Sequence, residues 1–291
     1  MATIRTGVFA LQSPLVAAVE EGFLADEGLE VTYVRTTSSR EQLDRLLQGD
    51  IDVAQTAADN IIGLSVRRAG QAHIFHVADL GLDQFAVSGM GVEAWEDVRG
   101  RRVAVDAADS GYAYVLYSLL SRNGVEQDEY ETVAVGGPAS RLEQLCSGRC
   151  SVGLLNPHLT TLAQDRGLRV LARSADHFPD YPNLVFAVIG RSSSALPQLL
   201  AYSRAVDRAV RWAHNPANAG RAIEHLMRAR SCSEKEAVES YQFERSLRSV
   251  PCPTRDQVIR SLEGVAGLRE RLGGGRSFLE HYFLSVSSSL G

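Results

Sequence analysis

The stretch Val103-Ala-Val-Asp-Ala-Ala-Asp-Ser-Gly-Tyr-Ala-Tyr-Val-Leu-Tyr117 contains the pattern that decides the fold of this chain. Arg102–Val105 has the alternation of a buried strand, and Tyr112–Leu120 has the apolar spacing of a helix. Between them, Asp109-Ser110-Gly111 predicts a capped helix start, because Asp and Ser oxygens cap helices and glycine adopts unusual backbone angles. Free backbone N–H groups at such a start suit a carboxylate, sulfonate or phosphate, although an ordinary strand–helix turn has the same pattern.

Strand–helix alternation extends from this stretch in both directions. Residues 4–77 have the pattern β-α-β-α-β-α-β, which predicts a parallel sheet covered by helices on both faces. Residues 102–172 repeat the alternation and define a second α/β unit. From Ser194 onward the chain is helical up to a final segment at Phe278–Leu284. The sequence therefore predicts an α/β fold class with two Rossmann-like lobes and a helical C-terminal segment.

Two extended segments, near Gly81–Phe85 and near Tyr181–Phe186, bracket the second α/β unit. They predict that residues 83–183 form a second lobe, inserted into a first lobe made of residues 1–82 and 184–291. Two such crossings make a hinge, and ligands of open α/β sheets bind at the carboxyl ends of the strands. We therefore expect the ligand in a cleft between the lobes, with lobe closure as the mechanism.

The composition excludes two kinds of partner. The chain has 291 residues with a net charge of −5, and 45% of its residues are hydrophobic, which supports a large core over roughly two domains. The acidic balance, without any block of basic residues, argues against nucleic acid. No apolar run approaches the ~18 residues of a spanning helix, so no membrane insertion is expected either.

The first residues and the cysteines indicate in which cellular compartment the protein is located. Met1–Arg5 leads directly into a strand-like run without the basic and apolar regions of a secretory leader. The four cysteines form no Cys-x-x-Cys pair and are interpreted as buried thiols. Both observations predict a cytoplasmic protein. The alternative is an exported protein whose leader has been removed.

Lysine and histidine usage excludes further chemistry. Lys235 is the only lysine and lies in a charged run, whereas a Schiff-base enzyme or a Walker phosphate loop needs a lysine in a pocket or behind a glycine-rich turn. His73 and His76 are three apart on a predicted strand and point to opposite faces, so they cannot share a metal ion. His214 and His225, eleven apart, would lie about three helical turns from each other on one face and are interpreted as structural. Neither a metal nor a cofactor is expected.

Six stretches occur in a characteristic order: Ala17–Glu30, Leu46–Val53, Trp95–Val103, Val105–Tyr117, Val135–Pro138 and Leu145–Pro157. Together they resemble the type II periplasmic-binding-protein fold, in particular the ABC-transporter solute-binding proteins for alkanesulfonate, taurine and thiamine precursors. The resemblance covers roughly residues 1–190. It implies a protein that closes two lobes around a small organic solute, for which an anionic group is one option. If the protein is exported, it also implies an ABC permease as partner.

In that family the ligand touches the loops after successive strands of both lobes. The resemblance therefore implies ligand contacts from hydroxyls, amides and exposed backbone N–H groups. These are Gln12, Ser13, Thr36, Thr37, Thr56 and Asn60 in the first lobe, and Asp109, Ser110, Gly111, Tyr112, Gly136, Gly137, Asn156 and His158 in the second. Arg141 is the one arginine near these loops, and it lies one turn into its helix.

Family members on the same scaffold include cofactor-independent enzymes, so a cytoplasmic decarboxylase, lyase or hydrolase is the alternative function, and a cytoplasmic sensor is a third. His158 at a strand end, together with Asp59 and Asp109 from opposite lobes, are the candidates for proton transfer. The alternative role of the two aspartates is to cap a helix. The alternative for His158 is a position at the start of a helix with its side chain facing solvent. Phe9–Ser13 lacks the cysteine that the family's desulfinase carries there, which argues against that activity.

Overall fold

The computed structural model describes residues 1–82, 84–182, 185–190, 195–246 and 250–284. Within these ranges the strands are β1 (Ala2–Val8), β2 (Leu29–Arg35), β3 (Val53–Thr56), β4 (Ala72–Val77), β5 (Asp79–Leu80), β6 (Phe85–Ser88), β7 (Arg102–Val105), β8 (Glu131–Ala134), β9 (Val152–Leu155), β10 (Val170–Arg173), β11 (Val185–Ile189) and β12 (Val250–Pro251). The helices are α1 (Ser13–Glu20), α2 (Phe23–Asp26), α3 (Ser39–Gln48), α4 (Ala58–Arg67), α5 (Gly111–Arg122), α6 (Pro138–Cys146), α7 (Pro157–Asp165), α8 (Ser174–His177), α9 (Leu196–His214), α10 (Ala219–Arg230), α11 (Glu234–Ser246), α12 (Arg255–Arg271) and α13 (Leu279–Tyr282).

The order of these elements confirms the predicted α/β fold class with a helical C-terminal segment. Strand β7 has the predicted bounds, and helix α5 begins one residue before and ends two residues after the predicted Tyr112–Leu120. Ser194, from which the chain is predicted to be helical, lies outside the described residues.

The first compact unit comprises Met1–Leu80, Pro182–Arg260 and Ser277–Gly291. Its five-stranded sheet has the order β2-β1-β3-β11-β4. Strand β1 is parallel to β2 and β3, whereas β11 is antiparallel to both β3 and β4. The carboxyl ends of β1, β2, β3 and β4 therefore lie at one edge of this sheet.

The second unit comprises Gly81–Tyr181 and Ser261–Arg276, and its sheet has the order β10-β6-β9-β7-β8. Strand β7 is parallel to β8 and β9, and β6 is antiparallel to β9 and β10. Residues 261–276, which the sequence pattern assigned to the first lobe, belong to this unit. The predicted boundaries at residues 83, 183 and 184 lie outside the described residues.

The four strands predicted in residues 4–77 run in one direction, but the first sheet is mixed and not parallel throughout. Strand β11 comes from a distant part of the chain and lies between β3 and β4, antiparallel to both. The sequence pattern could not show this, because the apolar residues of a buried strand are equally well covered in either direction. The second sheet accommodates β6 between β9 and β10 in the same manner.

The core of the first unit includes an aromatic cluster under α9. Tyr202 of this helix is fully buried, and its ring centroid lies 5.9 Å from that of Phe75 and 5.5 Å from that of Phe186. Its hydroxyl lies 3.1 Å from Thr6 Oγ1 on β1. Such ring pairs stabilise a core beyond the area they bury, so α9 is firmly fixed to the sheet.

Local sequence explains why helices begin at the carboxyl edges of the sheets. Ser38, Ser110 and Asn156 each cap a helix, since their side-chain oxygens accept hydrogen bonds from Glu41, Ala113 and Leu159 N–H at 3.1, 3.2 and 3.0 Å. Helices α1, α6 and α7 carry a proline in their first two positions, where the missing N–H costs nothing. These turns bring the predicted ligand contacts to the sheet edges.

Candidate ligand-binding site

The buried side chain of Gln42 ties together the loops at the carboxyl edge of the first sheet. Its Nε2 lies 3.1 Å from the Gly7 carbonyl oxygen, 3.2 Å from Thr36 Oγ1 and 3.1 Å from the Gln55 carbonyl oxygen. These acceptors belong to β1, to the loop after β2 and to β3, so one amide fixes three strand ends. The predicted contact Thr36 is buried, and its hydroxyl donates to the Val8 carbonyl at 3.2 Å. Its hydroxyl is therefore engaged within the unit.

The N-terminus of α1 is occupied by a carboxylate of the chain itself. Ser13 donates its backbone N–H and its hydroxyl to Glu244 Oε2, at 2.8 and 2.5 Å. Arg230 Nη2 lies 3.0 Å from Glu244 Oε1, and Arg230 also donates to the Leu11 carbonyl. Burial raises the pKa of Glu244, although the bonds from Ser13 and the charge of Arg230 oppose this. The predicted ligand contact Ser13 is thus already bonded to a carboxyl group of the chain itself.

Further polar groups of this edge form hydrogen bonds with one another. Gln55 Nε2 donates to Gln12 Oε1 at 3.1 Å, and Asn60 Nδ2 donates to Thr56 Oγ1 at 2.9 Å. Gln12 and Asn60 are half-buried, while Thr56 is fully buried. Asp59 is only 1% exposed and is the second residue of α4. The capping role predicted for Asp59 is therefore wrong, because a capping residue precedes the first helical turn.

Thr37 contributes to the start of α3. Its backbone N–H and its hydroxyl donate to Glu41 Oε2 at 2.8 and 2.5 Å. These two bonds are the main reason why the pKa of Glu41 is lowered. Thr37 is exposed, so it is accessible at the sheet edge even though its hydroxyl is already bonded.

Two small adjoining cavities lie in the first unit beside these loops. Each has a volume of about 40 Å³, and they share Gln12, Pro14, Asp79 and His214. A single water molecule needs about 10–15 Å³ of such volume, so each cavity can hold a few water molecules.

In the second unit, Ser110 and not Asp109 caps α5. Ser110 Oγ accepts from the Ala113 N–H and donates to Asp106 Oδ1. Asp109 is exposed. The predicted capping by Asp109 is wrong, because only the residue immediately before the helix has its side chain in reach of the third helical N–H. The sequence did not single out Asp106.

Two residues hold the backbone of the loop before α5. The Tyr117 hydroxyl donates to the Ala108 carbonyl at 3.1 Å, and Arg269 Nη1 donates to the Asp109 carbonyl at 3.2 Å. The Arg269 guanidinium also lies 4.8 Å from the centre of the Tyr114 ring. Sequence reasoning missed Arg269, because it lies 160 residues from Asp109 and no local pattern joins them.

The start of α6 combines two exposed glycines with a buried arginine. Gly136 has a φ of +84°, which favours glycine, and Gly137 is the residue that precedes the helix. Arg141 is 3% exposed, and it donates from Nε to the Leu154 carbonyl at 2.8 Å and from Nη1 to the Gly136 carbonyl at 2.9 Å. Arg141 therefore joins the loop after β8 to strand β9.

The other predicted contacts of the second unit also lie at helix starts. Gly111 and Tyr112 are the first two residues of α5, the former buried and the latter half-buried. Asn156 caps α7, and His158 is the second residue of that helix. The side chain of His158 lies outside the described part of the chain. Because β7, β8 and β9 are parallel neighbours, the N-termini of α5, α6 and α7 lie at one edge of the second sheet, where the helix dipoles favour an anion.

The histidines occupy structural positions. His73 Nδ1 lies 3.1 Å from the Gly190 carbonyl oxygen, and His76 Nε2 lies 3.2 Å from Asp207 Oδ1. The prediction of one shared helix face for His214 and His225 is wrong. His214 ends α9 and His225 lies in α10, where its Nε2 is 2.6 Å from a carboxylate oxygen of Glu21. The turn between the two helices breaks the spacing that the sequence indicated.

Two of the four thiols, Cys150 and Cys252, are poorly suited to nucleophilic chemistry. All four cysteines are free; Cys150 is buried, and Cys146, Cys232 and Cys252 are partly exposed. Burial raises the pKa of Cys150, and burial together with the Asp207 charge raises the pKa of Cys252 to about 12. A thiol with a raised pKa holds its proton at neutral pH and reacts slowly.

Three solved structures share this fold over most of both chains. The alkanesulfonate-binding protein SsuA from Xanthomonas axonopodis, bound to MOPS, is 16% identical, with 95% of each chain covered and a TM-score of 0.74. The periplasmic aliphatic sulphonate binding protein SsuA from Escherichia coli is 14% identical, with 100% of this chain and 94% of that chain covered and a TM-score of 0.74. The periplasmic nitrate-binding protein NrtA from Synechocystis is 17% identical, with 94% and 82% covered and a TM-score of 0.72.

The fold is thus that of the periplasmic binding proteins, as the motif order predicted. The family profile described as NMT1/THI5 like matches residues 12–219, well over half of the chain. The chain belongs to the NMT1/THI5-like family. A search of curated proteins finds no match. No helix in the described residues combines the length and apolar composition that crossing a membrane requires.

The predicted cytoplasmic location is wrong, because the solved structures that share this fold are described as periplasmic binding proteins. The prediction rested on the first residues and on the cysteine spacing. A leader is absent from any mature exported protein, and unpaired thiols are compatible with either compartment. Neither the family match nor these structures supports the lyase alternative.

Proposed function

We propose that this protein binds a small organic solute with an anionic group and releases it unchanged. The observation that carries the proposal is the common edge of three helix starts in the second unit. Helices α5, α6 and α7 follow the neighbouring parallel strands β7, β8 and β9, so their N–H groups and dipoles act at the same sheet edge. Each dipole contributes about 0.3–2 kcal/mol toward a neighbouring negative charge.

The carboxyl edge of the sheet in the first unit has a different chemistry. The α1 start is filled by Glu244, and the half-buried Gln12 and Asn60 present amide groups. Amides donate and accept hydrogen bonds without adding charge. The similar proteins of known structure support an anionic group on the solute, since they are binding proteins for alkanesulfonate, aliphatic sulphonate and nitrate.

The proposed partner is the permease of an ABC importer. Support comes from the motif order, which resembles ABC-transporter solute-binding proteins, and from membership of the NMT1/THI5-like family. Closure of two lobes on the solute stays a prediction of the sequence. The proposed contacts at the second sheet edge are Ser110, Gly111, Tyr112, Gly136, Gly137, Asn156 and His158.

Thermal denaturation with a panel of probes tests the proposal. The panel contains methanesulfonate, taurine, MOPS and nitrate, with dimethyl sulfone as an uncharged relative of methanesulfonate. A probe present at about a hundred times its Kd stabilises the folded state by about 2.7 kcal/mol, which raises Tm by several degrees in a chain of this size. Mass spectrometry then shows whether the compound is recovered unchanged.

The expected result is a rise in Tm with at least one anion and full recovery of that anion after long incubation. The proposal is overturned if no probe raises Tm and denaturing the protein purified from cell extract releases no small molecule. Conversion of a bound probe into a product would equally overturn it in favour of an enzyme.

A further inference from the structure

Gln42 and Arg141 occupy equivalent positions in the two units. Each is the fourth residue of the helix that follows the outer parallel strand of its sheet, α3 after β2 and α6 after β8. Each donates to the carbonyl group thirteen residues further along, at Gln55 and Leu154, with distances of 3.1 and 2.8 Å. Both acceptors are the third residue of their strand, β3 and β9.

The second contact of each side chain is also equivalent. Gln42 donates to Thr36 in the loop after β2, and Arg141 donates to Gly136 in the loop after β8. Gln42 is 0% and Arg141 3% exposed. The task of tying the strand-end loops together is therefore common to both positions, and an uncharged amide performs it in the first unit.

The positive charge of Arg141 has no part in that structural task. Burying a guanidinium is costly, and burial lowers the pKa of Arg141. Asp106 and Tyr112 raise its pKa through space, but no ion pair among the described residues includes Arg141. A guanidinium carries five N–H donors, and the bonds to Leu154 and Gly136 engage only part of them.

The glycine loop that Arg141 holds is exposed. Gly136, whose carbonyl oxygen accepts from Arg141, is exposed, as is Gly137. A Cβ atom added at either glycine would meet no atom within 4 Å. A ligand group can therefore approach the backbone N–H groups of this loop directly. The forked guanidinium suits a planar or tetrahedral oxyanion, which it binds through two parallel hydrogen bonds.

We infer that Arg141 is the residue that selects the charge of the ligand by binding its oxyanion, a carboxylate, sulfonate or nitrate group. The inference rests on the proposed solute-binding function and adds to it a named specificity determinant. Gln42 in the first unit is the uncharged counterpart of Arg141. It shows that the structural task of this position needs no charge. Arg141→Gln is accordingly the sharpest variant, since it copies the arrangement of the first unit.

The experiment measures Kd for methanesulfonate and for dimethyl sulfone by calorimetry, on the wild type and on R141Q. These probes have nearly the same shape and differ in charge. The wild type is expected to prefer methanesulfonate, and R141Q is expected to lose at least about tenfold in affinity for it, which corresponds to about 1.4 kcal/mol. The affinity for dimethyl sulfone stays the same. Arg149→Gln, at an exposed arginine of the same unit, is the control for net charge and leaves both values unchanged.

Distinct results separate the inference from the proposed function. If R141Q folds and binds methanesulfonate as the wild type does, Arg141 is only structural and the inference fails. If the wild type binds dimethyl sulfone as well as it binds the anion, the inference fails while solute binding stands. If R141Q does not fold, R141K carries the test: it keeps the charge without the fork, and an unchanged affinity for methanesulfonate contradicts oxyanion binding by the guanidinium.

Discussion

Ser13 and Glu244 are joined by two hydrogen bonds to one carboxylate oxygen, at 2.8 Å from the Ser13 backbone N–H and 2.5 Å from its hydroxyl. The pair connects the start of α1 to α11, and Arg230 completes it at 3.0 Å from the other oxygen. An internal carboxylate thus takes the place at the α1 N-terminus that an anionic ligand would otherwise suit. Substitutions of Glu244 therefore test how much these contacts contribute to the stability of the protein.

The stability of the protein should depend on pH through Glu244. Burial raises the pKa of this carboxyl above its ordinary value of 4.5. The folded state then holds the proton at pH values where the unfolded chain has lost it, so stability falls as pH rises from 4.5 through the folded pKa. In Glu244→Gln this contribution is absent. Urea denaturation of both proteins at about pH 4.5 and about pH 8 should therefore show the wild type losing stability relative to E244Q. Parallel profiles would contradict the raised pKa.

Removing the carboxylate altogether should be costly. Glu244→Ala leaves the Arg230 guanidinium and the Ser13 N–H without their partner in a buried setting, and we expect a loss of about 3 kcal/mol in the free energy of unfolding. Glu239→Ala is the matched control on the same helix, because Glu239 is 50% exposed and pairs only loosely with Lys235 at 3.9 Å. It should stay within about 0.5 kcal/mol of the wild type. Equal losses in both variants would mean that the Glu244 contacts contribute little.

The start of α5 should depend on Ser110 and not on Asp109. Ser110→Ala removes the cap on the Ala113 N–H and the partner of Asp106, for an expected loss of about 1–2 kcal/mol. Asp109→Ala changes an exposed side chain and should cost less than about 0.5 kcal/mol. Thermal denaturation without ligand measures both. A larger loss in D109A than in S110A would reverse the assignment of the cap.

Gly274 should tolerate no side chain. A Cβ atom there would collide with the Tyr114 hydroxyl and with the Arg269 side chain, so Gly274→Ala should destabilise the protein by about 1–3 kcal/mol. The loss should shrink in a Tyr114→Phe background, which removes the hydroxyl oxygen. Gly264→Ala on α12 is the control: a Cβ there meets nothing within 4 Å, and alanine should stabilise the helix by about 0.5–1 kcal/mol. Equal effects at both glycines would contradict the tight packing around Arg269.

Much of the candidate site was predictable from local sequence. The strand that ends at Val105, the turn that follows and the Ser110 cap were all contained in one short stretch, because periodicity and capping depend on neighbouring residues. The glycines before α6 and the Asn156 cap of α7 follow from the same kind of pattern. The sequence alone could not determine whether Asp109 or Ser110 caps α5, since both side chains can cap a helix. The position of the first helical turn decides between them.

The sequence by itself determined the fold class and the loops that lie at the sheet edges, because these follow from patterns within ten or so residues. Only the tertiary structure decided which polar groups fill those loops. Glu244 reaches Ser13 across 231 residues and Arg269 reaches Asp109 across 160, and contacts over such distances leave no local pattern. The same holds for strand direction: β11 lies antiparallel between β3 and β4 because of where the chain returns, which the apolar alternation of Val185–Ile189 does not encode.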